Sequence, residues 1–188
     1  MLQEALLRRL ATREGRPRRV KAIMRGRVTV VITRGETGET ETIEATNVVS
    51  NAGDLYYAEM MAGETPTNDF GAVDSLIGLG TAGDAPSKTS TYANITTKVS
   101  GGEAAFTTAY PKTDDQDAAN TGKGSSVVTY KATWAAGVAT SNGIDRVYIA
   151  LDGATGTDPL LMYAVLNSFN KGASDTLTLY VNHTPTGV

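Results

Sequence analysis

Apolar residues recur with a helical period near the start of the chain. Leu2, Leu6 and Leu10 fall at i, i+4 and i+8, with Leu7 beside them, which predicts a helix over 2–14. Gly15 stops it, and Pro17 lies two residues beyond. Thirteen isolated residues are marginally helical, so the leucine stripe needs a partner surface. From Val20 the period changes. Arg27-Val-Thr-Val-Val-Ile-Thr-Arg34 is β-branched and partly alternating, Gly35–Gly38 is a turn, and Glu39–Ala45 returns as the second strand of a hairpin. That strand is polar on both faces, which predicts an edge or an exposed ribbon, with 20–45 a protruding hairpin.

Ser50 or Asn51 caps a second helix over about 52–62; Leu55, Ala58, Met61 and Ala62 share one of its faces, and Gly63 ends it. From residue 70 the chain reads as strands separated by Gly, Ala, Asp and Ser. They are Ser75–Gly80, Tyr92–Val99, Glu103–Tyr110, Ser126–Ala135, Ile144–Leu151, Leu160–Phe169 and Thr176–His183. Alternation is cleanest in Val147, Ile149, Leu151 and in Leu177, Leu179, Val181. No amphipathic helix follows residue 63, so parallel strands would lack their crossovers. The expected fold is therefore mainly β: an antiparallel, jelly-roll-like β-sandwich body over 20–188, with one short internal helix and a basic helical arm over 1–19. Residues 111–125 form a long polar loop, the segment expected to move or to make a contact.

Composition agrees with that outline. The 188 residues can bury a core without staples. Twenty-seven threonines suit half-buried pleated surfaces. The absence of cysteine excludes disulfides and thiolate chemistry, and the single histidine, His183, excludes a two-His metal helix. No apolar run approaches the roughly 18 residues of a membrane span, and no membrane partner is expected.

Charge changes the picture more. The net charge is −3, but residues 1–34 carry ten cations against two carboxylates, a net of +8, while the rest carries seven against eighteen, −11. Nine of those ten cations are arginines, whose planar forks bind carboxylates and phosphates in a way that lysine does not copy. The arm is therefore assigned to partner docking, through Leu2, Leu6 and Leu10 and through Arg8, Arg9, Arg13, Arg16, Arg18 and Arg19. Nucleic acid is a disfavoured partner, because the arm has no aromatic side chain for base stacking.

Motifs that resemble chemistry are weak. Gly78-Leu-Gly-Thr-Ala-Gly83 matches G-x-G-x-x-G after a strand, but no helix opens behind it, so the glycines read as a strand end. Asp114, Asp115 and Asp117 cluster, and Asp152 and Asp158 bracket a turn, without the spacing of a calcium loop. His183 has no nucleophile motif near it. No catalytic residue, metal ligand or cofactor is assigned, and the chain is not expected to be an enzyme. Tyr130 and Trp134 are assigned to the core. Tyr56 and Tyr57 are assigned to a contact surface, since tyrosine is enriched in interfaces.

Three stretches carry a resemblance. The first is Asn47-Val-Val-Ser-Asn-Ala-Gly53 leading into a helix. The second is Leu76-Ile-Gly-Leu-Gly-Thr-Ala-Gly-Asp-Ala-Pro-Ser-Lys-Thr-Ser-Thr91. The third is the series Trp134–Gly137, Gly143–Ala150, Leu161–Leu166 and Lys171–Leu179. Over about residues 45–183 the chain resembles small β-sandwich structural proteins of tailed-bacteriophage virions; it departs from their pattern at Ser90, where they carry Asp. The resemblance implies a non-enzymatic virion component made in the bacterial cytoplasm. It would be a head decoration or cement protein, or a neck or tail accessory, contacting capsid, neck or tail subunits as a homo-oligomer such as a trimer. The alternative is a tail-fibre or receptor- or glycan-binding module. An enzyme ranks third, since it needs clustered carboxylates in a cleft.

Overall fold

The computed structural model describes residues 23–71 and 74–186. The predicted hairpin forms from β1 (Ile23–Thr33) and β2 (Thr40–Val49), in register from Gly26 opposite Asn47 to Thr33 opposite Thr40. Helix α1 (Asn51–Ala62) follows at once. Ser50 caps it by accepting from Gly53 N–H at 3.0 Å, and Gly63, at φ 73°, closes it with its N–H on the Met60 carbonyl. The remaining strands are β3 (Ser75–Ala82), β4 (Thr97–Ala105), β5 (Lys112–Thr113), β6 (Val128–Trp134), β7 (Ser141–Leu151), β8 (Leu160–Lys171) and β9 (Thr176–Thr186).

Among the described residues, nine strands join one antiparallel sheet in the order β4-β3-β7-β8-β2-β1-β9-β6-β5. The strand pairing does not divide into the two separate sheets of a sandwich. The sheet instead curls into a half-barrel. Just past β4, Thr107 N–H donates to the Lys131 carbonyl of β6 at 2.7 Å, so the segment leaving one edge of the sheet reaches a strand near the other edge. The concave side holds the main core: Val28, Val30 and Ile32, Ile77 and Leu79, Tyr130, Ala132 and Trp134, Val147 and Ile149, and Leu177, Leu179 and Val181. Each such aliphatic side chain, fully buried, contributes about 1.5–3 kcal/mol. Tyr130 and Trp134 take the core positions expected of them.

The convex side is covered in two ways. Over β3, β7 and β8 lies a second apolar cluster of Leu76, Ile95, Tyr148, Ala150, Leu160 and Tyr163. Burial on both faces explains why β3 and β8 are nearly continuous apolar runs. Over β1, β9 and β6 lies the 111–125 segment, and there the contacts are polar.

Four expectations need correction. The hairpin does not protrude: β1 pairs with β9 along its whole length, from Ile23 opposite Thr186 to Thr33 opposite Thr176. Only the polar half of β2, residues 40–46, lacks a second neighbour, because β8 pairs with Asn47–Val49 alone. Arg27 and Arg34, two of the ten cations of residues 1–34, are side chains of the sheet; Arg27 pairs with Glu44 at 3.1 Å, and Arg34 with Glu41 and Asp175. Secondly, Tyr92–Val99 and Glu103–Tyr110 are not two strands. Tyr92–Asn94 is a 3₁₀ turn, and β4 runs through Gly101, at φ 66°, by a bulge whose two flanks both pair with β3. Thirdly, the face of α1 bearing Leu55, Ala58, Met61 and Ala62 points to solvent, while Gly53 and Tyr56 face the sheet. Fourthly, the 111–125 loop is pinned, as described next.

Candidate functional site

The arm residues Leu2, Leu6, Leu10, Arg8, Arg9, Arg13, Arg16, Arg18 and Arg19 lie outside the described residues. The chain enters them from Met24, which lines a cleft of about 410 Å³ beneath α1. Tyr56, Tyr57, Met60 and Met61 form the helix side of this cleft, and Val128, Tyr130, Pro111 and Pro185 the sheet side. Its lining is apolar apart from a few groups. Lys112 at the rim has its charge matched by Asp115 at 3.1 Å and lies over the Tyr110 ring at 4.5 Å. Met60 is 52% and Met61 74% exposed, and Leu55 on the adjoining face 46%, so apolar surface continues from the cleft onto the helix.

Tyr56 and Tyr57, expected at a contact surface, are both engaged within the chain. Tyr56 is buried against Phe70, ring centroids 5.8 Å apart. Tyr57 turns its hydroxyl inward, 3.0 Å from the Tyr130 hydroxyl and 2.6 Å from His183 Nδ1. His183 Nε2 in turn lies 2.8 Å from the Asn47 amide. Four polar side chains from α1, β6, β9 and β2 therefore form one chain behind the cleft. Burial lowers the His183 pKa to about 3 and raises those of Tyr57 and Tyr130. Every member is neutral at pH 7, and each hydrogen-bonds to another member; the buried Asn47 Oδ1 alone among their side-chain polar atoms has no partner among the described residues. Such an arrangement ties elements together; it holds no acid, base or nucleophile poised near neutrality.

The acidic cluster is likewise structural. Asp115 accepts from Tyr110 at 2.8 Å and from Asn120 at 2.9 Å. Burial opposes its ionisation, but the hydrogen bonds from Asn120 and Tyr110 outweigh it and hold the carboxyl at about pKa 2. Asp117 accepts from Lys131 at 2.7 Å and Tyr180 at 2.6 Å. Asn120 and Asn182 exchange amide hydrogen bonds of 2.9 and 2.8 Å. The loop thus docks on the polar outer face of β6 and β9. Asp158 accepts from Thr155 N–H at 2.8 Å within its own turn. Among the described residues no three His, Asp or Glu side chains converge as metal ligands.

The G-x-G-x-x-G glycines also have packing roles. A Cβ at Gly78 would lie 2.0 Å from the Tyr148 ring, one at Gly80 2.9 Å from Ile95, and one at Gly83 2.3 Å from the Tyr163 hydroxyl. The segment after them leads to a 3₁₀ turn at Tyr92, not to a phosphate-binding helix. Sequence reasoning missed the cleft because its parts are scattered over five separate stretches, and it missed the partners of His183 because none is near in sequence. No known protein family, curated protein or solved structure matches the chain.

Proposed function

We propose that the chain is a non-enzymatic structural component of a bacteriophage particle, a head decoration or cement protein or a neck or tail accessory. The observation that carries this reading is the apolar surface of α1. Leu55, Met60 and Met61 stand in solvent on one helix, beside an apolar cleft, on a body whose long 111–125 loop is pinned down. Contiguous apolar exposure of this kind fits a protein partner. A glycan would need polar side chains aimed at its hydroxyls. Here the Tyr57 and Tyr130 hydroxyls are committed to each other and to His183.

The charge layout supports the same reading, since an arginine-rich segment on an acidic chain favours contact with carboxylates of neighbouring subunits. In that arrangement residues 1–19 are the docking arm, and the curled sheet with the segments that cover it is the jelly-roll-like body displayed on a homo-oligomer. The test compares the full chain with a version lacking 1–19. Light scattering at low and high salt gives the mass, circular dichroism checks the fold, and sedimentation with isolated particles gives binding. The full chain is expected to bind particles in a salt-sensitive manner and the shortened one to lose at least tenfold in affinity. Equal binding by both, or by neither, would overturn the reading.

A further inference from the structure

Several features of the cleft beneath α1 point to what fills it. Its walls are Met24, Tyr56, Met60, Met61, Val128 and Pro185, a lining suited to aliphatic side chains. Its volume, about 410 Å³, lies within the roughly 300–1,000 Å³ of clefts that take small ligands. Met24 and Pro185 are paired across β1 and β9, so the rim is the very place where residues 1–22 join the sheet. That segment carries the leucine stripe. Twelve residues separate Leu10 from Ile23. Such a connection reaches at most about 40 Å, ample for a return to the adjacent cleft. Tethered this closely, the stripe meets its own cleft at an effective concentration of about millimolar, above that of any second copy in dilute solution.

We infer that Leu2, Leu6 and Leu10 seat in the cleft beneath α1 of their own chain. The cleft then supplies the partner surface that a short amphipathic segment needs. Seating the leucines uses none of the arginines, which stay available to carboxylates of a neighbour. The pairing involves this chain alone; it covers Met60 and Met61 in the cleft and leaves Leu55 on the outer side of α1 for the partner of the proposed function.

The chain has no cysteine, so introduced pairs report cleanly. The full chain carrying Leu6→Cys with Met61→Cys is oxidised at low protein concentration. A control carries Leu6→Cys with Val138→Cys, an exposed position past the far end of β6. The expected result is an internal disulfide at monomer mass, formed at least fivefold faster in the first pair. Equal rates, or a disulfide found only between two chains, would overturn self-docking. A second measurement avoids cysteine: hydrogen exchange of residues 2–10 in the parent and in Met61→Asp, a substitution at a solvent-facing side chain. Several-fold protection in the parent, lost in the variant, is expected; unprotected amides in the parent would overturn the proposal.

Discussion

Asn47 and His183 stand on strands that are not neighbours, yet the Asn47 amide and the His183 imidazole lie 2.8 Å apart. β1 runs between them, and the residue opposite both is Gly26. A Cβ there would sit 1.6 Å from Asn47 Oδ1, so the contact passes through the space that a side chain would fill. The other half of the sheet repeats the device. Tyr148 on β7 donates to Glu103 on β4 at 2.6 Å, across Gly78 on β3. In both places a central-strand glycine lets polar side chains two strands apart meet, which ties three strands together beyond their backbone ladders.

Gly26→Ala is expected to cost about 1–3 kcal/mol, as overpacking at a closed site does. If Asn47 is the group that the new methyl meets, Asn47→Ala should relieve part of the loss. Urea denaturation of the parent, both single variants and the double variant measures the coupling, expected at about 1 kcal/mol or more. Additive losses would show that the methyl is resisted by something other than Asn47.

His183 makes folding sensitive to mild acid. Burial lowers its pKa to about 3, against about 6.5 in an unfolded chain. Between those values the unfolded chain takes up a proton that the folded chain excludes. Stability therefore falls as pH drops from about 6.5, by up to about 1.4 kcal/mol per unit, and this loss levels off below about 3. His183→Gln removes the titration while keeping a polar side chain. Its stability should stay flat between about pH 6.5 and 4.5, where the parent's declines. Asp115, held at about 2, adds its own loss only below about pH 4. Equal slopes in parent and variant would exclude His183 as the source.

How much of this could be seen in the sequence depends on what periodicity counts. The bounds of α1 were legible, because Ser50 and Gly63 are strong caps. Its buried face was not. Apolar spacing favoured Leu55, Ala58, Met61 and Ala62, but the helix meets β8 through Gly53, whose Cβ would lie 2.4 Å from the Leu161 carbonyl oxygen. A glycine adds nothing to an apolar pattern, yet it permits the closest approach. The 111–125 loop misled for the opposite reason. Its polar residues resemble solvated ones, and only the alternation of Thr129, Tyr180 and Asn182 with core residues hints at a polar sheet face awaiting a cover. The core itself was legible in Val147, Ile149, Leu177, Leu179 and Val181.

The glycine motif in β3 yields a third prediction. If Gly78 and Gly83 serve packing, Gly78→Ala and Gly83→Ala should each lower the melting temperature by several degrees, because Tyr148 and Tyr163 block the new methyls. A nicotinamide dinucleotide should leave the parent's melting temperature unchanged. Binding at a hundredfold excess over Kd would add about 2.7 kcal/mol, an easily measured rise. Such a rise in the parent would restore the dinucleotide reading.

The last prediction concerns the reciprocal amide pair of Asn120 and Asn182. Both side chains are buried, and Thr129 also donates to Asn182 Oδ1 at 2.8 Å. Asn120→Ala leaves Asn182 Nδ2 without its acceptor and removes one donor from Asp115. Each buried group so orphaned costs about 1–3 kcal/mol. The loop buries little apolar surface of its own, so this cost can be met by releasing the loop while the sheet stays folded. Trypsin reads the difference. Lys112 is held by Asp115, and Lys123 by the carbonyls of Gln116 and Asp117, so the parent should resist cleavage at both. In Asn120→Ala, cleavage there should quicken at least tenfold, equivalent to about 1.4 kcal/mol in loop opening, with far-ultraviolet circular dichroism unchanged. Unchanged cleavage would place the anchor instead in the Asp117 contacts to Lys131 and Tyr180, which the substitution leaves intact.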